Sequence, residues 1–191
     1  TAEAGEDIIL ISPDGKYAAN QEKAISNFNE ARPLEEGELI SIDTPNQKSI
    51  DELCIKQGFD KTQIIKVLIM LARFIDNKKF LVLISIRGDQ ELNETKLINQ
   101  LNINLGSEVI ELKALTEQKC KEEGIKEIPF GYLGPDLDDS IISNSNSLEK
   151  KFIRIADNSV SGLNNFICGA NKIGLHRVNT KWSQIGGLPN S

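Results

Sequence analysis

Lys66 interrupts an apolar run, Ile64 to Leu71, whose other members are Ile, Val, Leu and Met. An ammonium buried there must find an anion or give up its proton, because desolvation disfavours the charged form. Otherwise the four-carbon stem snorkels and carries the charge to water. Other residues with chemical capacity are few. His176 is the sole histidine; Asp43-Thr44-Pro45 and Gly131-Tyr132-Leu133-Gly134-Pro135 are compact loop sequences; Asp157 follows an apolar strand candidate. Read singly, each has an ordinary meaning. Asp-Thr-Pro is a turn-and-cap sequence, the glycine-proline pentapeptide is a turn, and a lone histidine on a strand is a satisfied core or surface residue.

Composition narrows the classes. The chain has 191 residues, 39% hydrophobic and 26% charged, as expected of a globular domain. Its formal net charge of −6 offers no general basic surface to nucleic acid, so any RNA contact must be local or come from a neighbouring domain. Three cysteines, Cys54, Cys120 and Cys168, are widely spaced and lack metal-ligand spacing, so reduced thiols in a cytoplasmic protein are expected and no metal site is. No apolar run reaches the ~20 residues of a bilayer span, and no membrane partner is expected. The chain opens at Thr1 and its one methionine is Met70, which suggests a piece of a longer protein. There is no phosphate-binding glycine loop and no Gly-x-Ser-x-Gly elbow.

The elements that would position these residues follow from local pattern. Asp7 to Ser12 reads as a strand, Pro13-Asp14-Gly15 as a turn and Ala18 to Phe28 as a helix. The loop around Pro33 and Gly37 marks a domain boundary. Leu39 to Ile42 is a strand, and Ser49-Ile50-Asp51-Glu52 has capping-box spacing for a helix that stops near Gly58, with Ile50, Leu53 and Cys54 on one face. Ile64 to Phe74 and Phe80 to Ile86 form a hairpin through Asp76 to Lys79, apolar on both faces and therefore central in a covered sheet. Asn93 to Leu101 and Thr116 to Glu123 read as helices, and Glu108 to Leu112, Phe152 to Ala156 and Gly174 to Asn179 as strands. The polar stretch Asp138 to Lys151 reads as a mobile surface excursion, Leu163 to Cys168 as a short helix, and Gly186 to Pro189 as frayed. Strands and helices mix without alternation, so the class is α+β: a mixed, strongly curved central sheet with helices packed around it.

Together the motifs are more specific than apart. The succession Ile42 to Cys54 (IDTPNQKSIDELC), Lys66 in its apolar run, Val82 to Leu97 (VLISIRGDQELNETKL), Gly131 to Pro135, then IADNSVSG, FICGAN and GLH up to His176 resembles the editing domain inserted into bacterial-type prolyl-tRNA synthetases. The resemblance runs from about Ile40 to about Asn179. Gly5-Glu6-Asp7 and Tyr17 to Asn20 look like the synthetase core just before that insertion. The implied division is residues 1–36 as core segment, 37–180 as editing domain and 181–191 as C-terminal flank.

What the resemblance implies is hydrolysis of alanine mischarged onto tRNA(Pro). A missing methylene gives a synthetase only about 1–3 kcal/mol of discrimination, so a second sieve is needed. By resemblance, Ile50 and Leu53 line the alanine pocket and Thr44 sits at its edge. Lys66 meets a phosphate at the tRNA 3′ end, Gly131, Gly134 and Pro135 form a loop aiming amides at the oxyanion, and Asp157 and His176 position water or the terminal ribose. Val67 stands where the family usually has threonine. No nucleophile is evident, so water attacks the ester directly, helped by the substrate's ribose hydroxyl. Editing needs no cofactor; the parent synthetase, a homodimer, uses ATP and Mg outside these residues. The alternatives are an insertion that supports the synthetase without catalysis, and a free-standing deacylase.

Overall fold

The computed structural model describes residues 28–189, and Ala31 onward forms one compact unit. The strand at Asp7 to Ser12 and, but for Phe28, the helix at Ala18 to Phe28 lie outside the described residues. Seven strands and three α-helices follow: β1 (Ile40–Asp43), α1 (Ile50–Gln57), β2 (Ile65–Phe74), β3 (Lys79–Arg87), α2 (Glu94–Leu105), β4 (Val109–Ala114), α3 (Glu117–Glu122), β5 (Ile153–Ala156), β6 (Phe166–Gly169) and β7 (Leu175–Thr180). The class is α+β, and the strands divide between two sheets. One has the order β4-β2-β3-β5, antiparallel except for the parallel β3–β5 pair; the other is β1-β7-β6, antiparallel throughout. An isolated parallel bridge, Ile64 to Ile167, joins them.

Local sequence explains most elements. The Ser49 side chain accepts from the Glu52 amide while the Glu52 carboxylate accepts from the Ser49 amide, and Gly58 closes α1 in the left-handed conformation (φ 76°). Asn77 (φ 65°) turns the β2–β3 hairpin, with the Asp76 carboxylate accepting from the Lys78 amide. Period-2 alternation then sends the two apolar faces of that hairpin into different cores. Val67, Ile69, Leu71, Leu81 and Leu83 face one cluster, while Met70, Ala72, Phe74, Val82 and Ile84 face another beneath α2.

Three expectations are corrected. Leu163 to Cys168 is not a helix: Phe166–Gly169 is strand β6, fully buried against β7. The Asp138 to Lys151 excursion is not a free surface loop. Ile142, Ser145 and Leu148 are buried, the first two completely, and Ile142 and Leu148 belong to the core beside β2 and β3. Its polar residues other than Ser145 are exposed or half-exposed, which is what the sequence displays. Nor is the start of the Gly186 to Pro189 stretch frayed: Trp182 and Ile185 before it pack with Phe166 and Cys168, and the Gly187 amide donates to the Trp182 carbonyl.

Candidate functional site

The two sheets part along β2. β4 pairs with β2 only from Met70 to Phe74, and β6 reaches it only through the Ile64–Ile167 bridge. Between those points one edge of β2 has no neighbouring strand, and a cavity of about 560 Å³ occupies the gap. The carbonyls of Ile64 and Ile69 accept from Gly88 and Leu115, on opposite edges of the strand. Backbone groups alternate edges along an antiparallel strand. The Val67 amide and carbonyl therefore face the open edge, on the same side as the Ile69 carbonyl that Leu115 engages, while the Val67 side chain packs into the core.

Ile50 and Leu53 of α1 and Lys66 of β2 line the cavity, as do Gly131, Leu133, Gly169 and His176. Lys66 keeps 20% of its side chain exposed, and Glu91 lies 3.8 Å away with its carboxylate almost wholly in solvent. So the lysine neither buries its charge nor owns a strong partner: it snorkels into the cavity mouth. Among the described residues no group of three or more His, Cys, Asp or Glu could hold a metal ion, and no helix is long and apolar enough to cross a membrane.

His176, from the middle strand of its sheet, is 5% exposed. Its Nδ1 lies 2.6 Å from the Thr44 hydroxyl, leaving Nε2 as the other ring nitrogen of a cavity-lining group. Burial lowers its pKa from 6.5 to about 4, so the ring is neutral at pH 7. Thr44 itself is fully buried and reaches the cavity through His176 rather than lining it. Tyr132 fastens this pair: its hydroxyl donates to the Thr44 carbonyl (3.0 Å) and accepts from the Gln47 amide (3.2 Å), and its ring lies 5.2 Å from the imidazole.

The glycine-proline loop is held by residues far along the chain. Asn171 accepts from the Gly134 amide (2.7 Å) and donates to Asp136 (2.9 Å), and the Tyr132 carbonyl accepts from the Asn171 amide. Arg177 grips Asp136 with two nitrogens (2.9 and 2.6 Å) and donates to the Gly169 carbonyl. Burial alone would raise the Asp136 carboxyl, but hydrogen bonds and charge from Arg177 outweigh it and hold it below its usual value. A Cβ on Gly169 would collide with the Tyr132 backbone, so strand and loop touch directly. Gly131 (φ 87°) would bring a Cβ within 2.6 Å of the Lys48 Cβ. The Gly134 amide is thus spent on Asn171, whereas among the described residues the Gly131 amide has no acceptor.

Not every expected site residue reaches the cavity. Asp157 caps the turn Asn158–Val160, accepting from the Ser159 amide (2.9 Å), and Ser159 in turn accepts from the Arg87 amide. It braces the end of β3, where Arg87 and Asp89 form a two-pronged ion pair. Pro135 lies beside Arg154 and the C-terminal residues, its carbonyl accepting from Arg154 (2.7 Å). Sequence reasoning missed Tyr132, Lys48 and Phe130 as wall or support residues. Tyr132 and Lys48 stand inside motifs already singled out, Phe130 immediately before one; no spacing rule pairs Tyr132 with Thr44, 88 residues away.

Residues 44–183 match the family model described as the aminoacyl-tRNA editing domain. A proline–tRNA ligase of Prochlorococcus marinus (strain MIT 9211) is 55% identical over 189 residues, covering 99% of this chain and 32% of that protein. A proline–tRNA ligase of Synechococcus sp. (strain CC9902) is 45% identical over 191 residues, with the same 32% covered. The chain spans about a third of the length of the curated relatives it matches. The crystal structure of hypothetical protein APE2540 shares the fold: TM-score 0.53, 13% identity, 91% of this chain and 97% of that one covered.

Proposed function

We propose that this chain, which belongs to the aminoacyl-tRNA editing domain family, hydrolyses the ester of alanine mischarged onto tRNA(Pro). The carrying observation is the open β2 edge, where a small apolar wall, a cation and a neutral imidazole meet in one cavity. Ile50 and Leu53 form a sieve that admits a methyl group and excludes the proline ring. Lys66, with only an exposed carboxylate nearby, is free to take a phosphate of the tRNA 3′ end as a point charge. That contact fixes the ester, and orientation is what the rate gains from it.

Water adds to the ester carbonyl, and the Gly131 amide faces the oxygen that becomes negative. The carbon–oxygen bond to the ribose then breaks, the ribose oxygen takes one proton of the water, and alanine leaves as its carboxylate with the second proton released to solvent. His176, neutral and fixed by Thr44, offers Nε2 to water or to the ribose. Asp157 supports the site from behind β3. The longer polypeptide, on the same reading, is an ATP- and Mg-dependent proline–tRNA ligase, a homodimer of the cytoplasm, whose other domains bind most of the tRNA. Editing itself uses no cofactor.

The test is side-by-side incubation of the complete natural polypeptide with Ala-tRNA(Pro) and Pro-tRNA(Pro), following ester loss. Faster loss of alanine is expected. Equal loss of both esters would rule out the sieve.

A further inference from the structure

A second groove, about 400 Å³, adjoins the cavity and shares two residues with it, Lys48 and Phe130. Its remaining walls come largely from α3 and the segment after it, including Lys121, Lys126 and the buried Cys120, with exposed Ile173 also lining it. On the same helix Lys119 is tied to Glu122 (3.2 Å) and Glu123 (3.3 Å). Lys48, Lys121 and Lys126, by contrast, have no carboxylate within ion-pair distance among the described residues. Two glutamates, Glu117 and Glu127, also line the groove, so three lysines against two carboxylates leave a local charge of +1 on a chain of net charge −6. Phe130 is half-buried, packed on the core from behind, so one side of it is available to the groove.

We propose that this groove binds the single-stranded 3′ segment of the RNA whose terminal ester occupies the cavity. Phosphates lie along Lys48, Lys121 and Lys126, and a base stacks on Phe130. The proposal rests on the aminoacyl-tRNA reading of the cavity. A polymer whose end sits among Ile50, Lys66 and His176 must leave over a wall, and Lys48 and Phe130 are a wall common to both spaces. Unpaired cations beside a half-exposed aromatic ring suit a flexible polyanion with planar bases, recognised without sequence. A base-paired segment would cover its base faces, leaving only the outer face of a terminal pair for Phe130.

The experiment measures binding, so it does not depend on hydrolysis. A 5′-labelled single-stranded RNA of about eight nucleotides ending in CCA, with a free 3′ hydroxyl, is titrated into the complete natural polypeptide by fluorescence anisotropy. Lys121→Glu/Lys126→Glu should weaken binding at least about tenfold and reduce the salt slope by roughly 1.4, about 0.7 per lost phosphate contact. Phe130→Ala should weaken it with the salt slope kept. A charge-matched control, Lys96→Glu/Lys151→Glu, lies outside the groove and should change binding by no more than about threefold. Equal weakening by both double variants, or none by the groove variant, overturns the proposal. Groove-dependent binding by a protein that hydrolyses neither tRNA ester would retain the groove and remove the hydrolytic reading.

Discussion

Replacing Lys66 with methionine removes the cation and keeps an unbranched stem. Its stability cost should be small. Among the described residues its only charged partner is Glu91 at 3.8 Å, with 96% of that side chain exposed, and such exposed pairs contribute about 0–1 kcal/mol. In a domain of this size that is a shift of at most about 2–4 °C in melting temperature. Activity should respond differently. A charge-assisted hydrogen bond is worth about 1.5–3 kcal/mol, which translates into roughly tenfold to a hundredfold or more in rate. Lys66→Arg should recover only part, because a planar fork does not reproduce a point-charge contact. The assay is the initial rate of Ala-tRNA(Pro) deacylation by the complete polypeptide, with thermal melting as the folding control. A folded Lys66→Met protein with full activity would refute the phosphate contact and leave Lys66 as a snorkelling residue and nothing more.

Leu53→Ala should widen the sieve so that Pro-tRNA(Pro) begins to be cleaved, and should cost about 2–3 kcal/mol, the lower part of the range for a buried leucine because the side chain already borders a cavity; an unchanged alanine-to-proline rate ratio would count against the sieve. Gly131→Ala combines a left-handed φ with a 2.6 Å approach to Lys48, so a loss of at least about 1–2 kcal/mol and of most deacylation is expected, and an unaltered melting temperature would show that the loop yields freely. His176 has a folded pKa of about 4 against 6.5 unfolded, so the unfolded chain binds the extra proton first as pH falls. Urea midpoints should therefore be flat above about pH 6.5 and decline towards pH 4, by up to about 3 kcal/mol in stability from this group, and His176→Gln should lose that share of the decline.

Sequence made the site's first half legible because its signals are local. Capping at Ser49 and Gly58 sets α1, and the position of Ile50 and Leu53 on one face follows from the helix period. The β2–β3 hairpin was equally clear, since eight apolar residues in a ten-residue strand, followed by a polar turn, have few other uses. Phe166–Gly169 defeated the reading because four buried residues are too short to separate strand from helix by period. The 138–151 excursion misled for another reason: its anchors, Ile142 and Leu148, are two residues among many polar ones, and only the packed structure tells which face they take. Long-range pairings were illegible in principle. Thr44 with His176, Gly134 with Asn171 and Asp136 with Arg177 join residues 132, 37 and 41 positions apart, and each partner alone looks ordinary. The family resemblance supplied several of these names without their geometry. It also grouped Asp157 and Pro135 with the cavity residues, whereas the structure gives both to the frame around it.

The unpaired edge of β2 has a consequence for isotope exchange. In a sheet, amide protons are shielded because they are shared with a neighbouring strand, and exchange then waits for local opening. Val67 has its side chain in the core but its amide on the open edge, while Met70 and Leu71, on the same strand, have β4 beside them. Deuterium should therefore enter at Val67 sooner than at its neighbours, although its side chain is packed in the core. A ligand seated in the gap would close that route, so the Val67 amide reports occupancy of the cavity directly, without a dye, a mutation or a turnover assay.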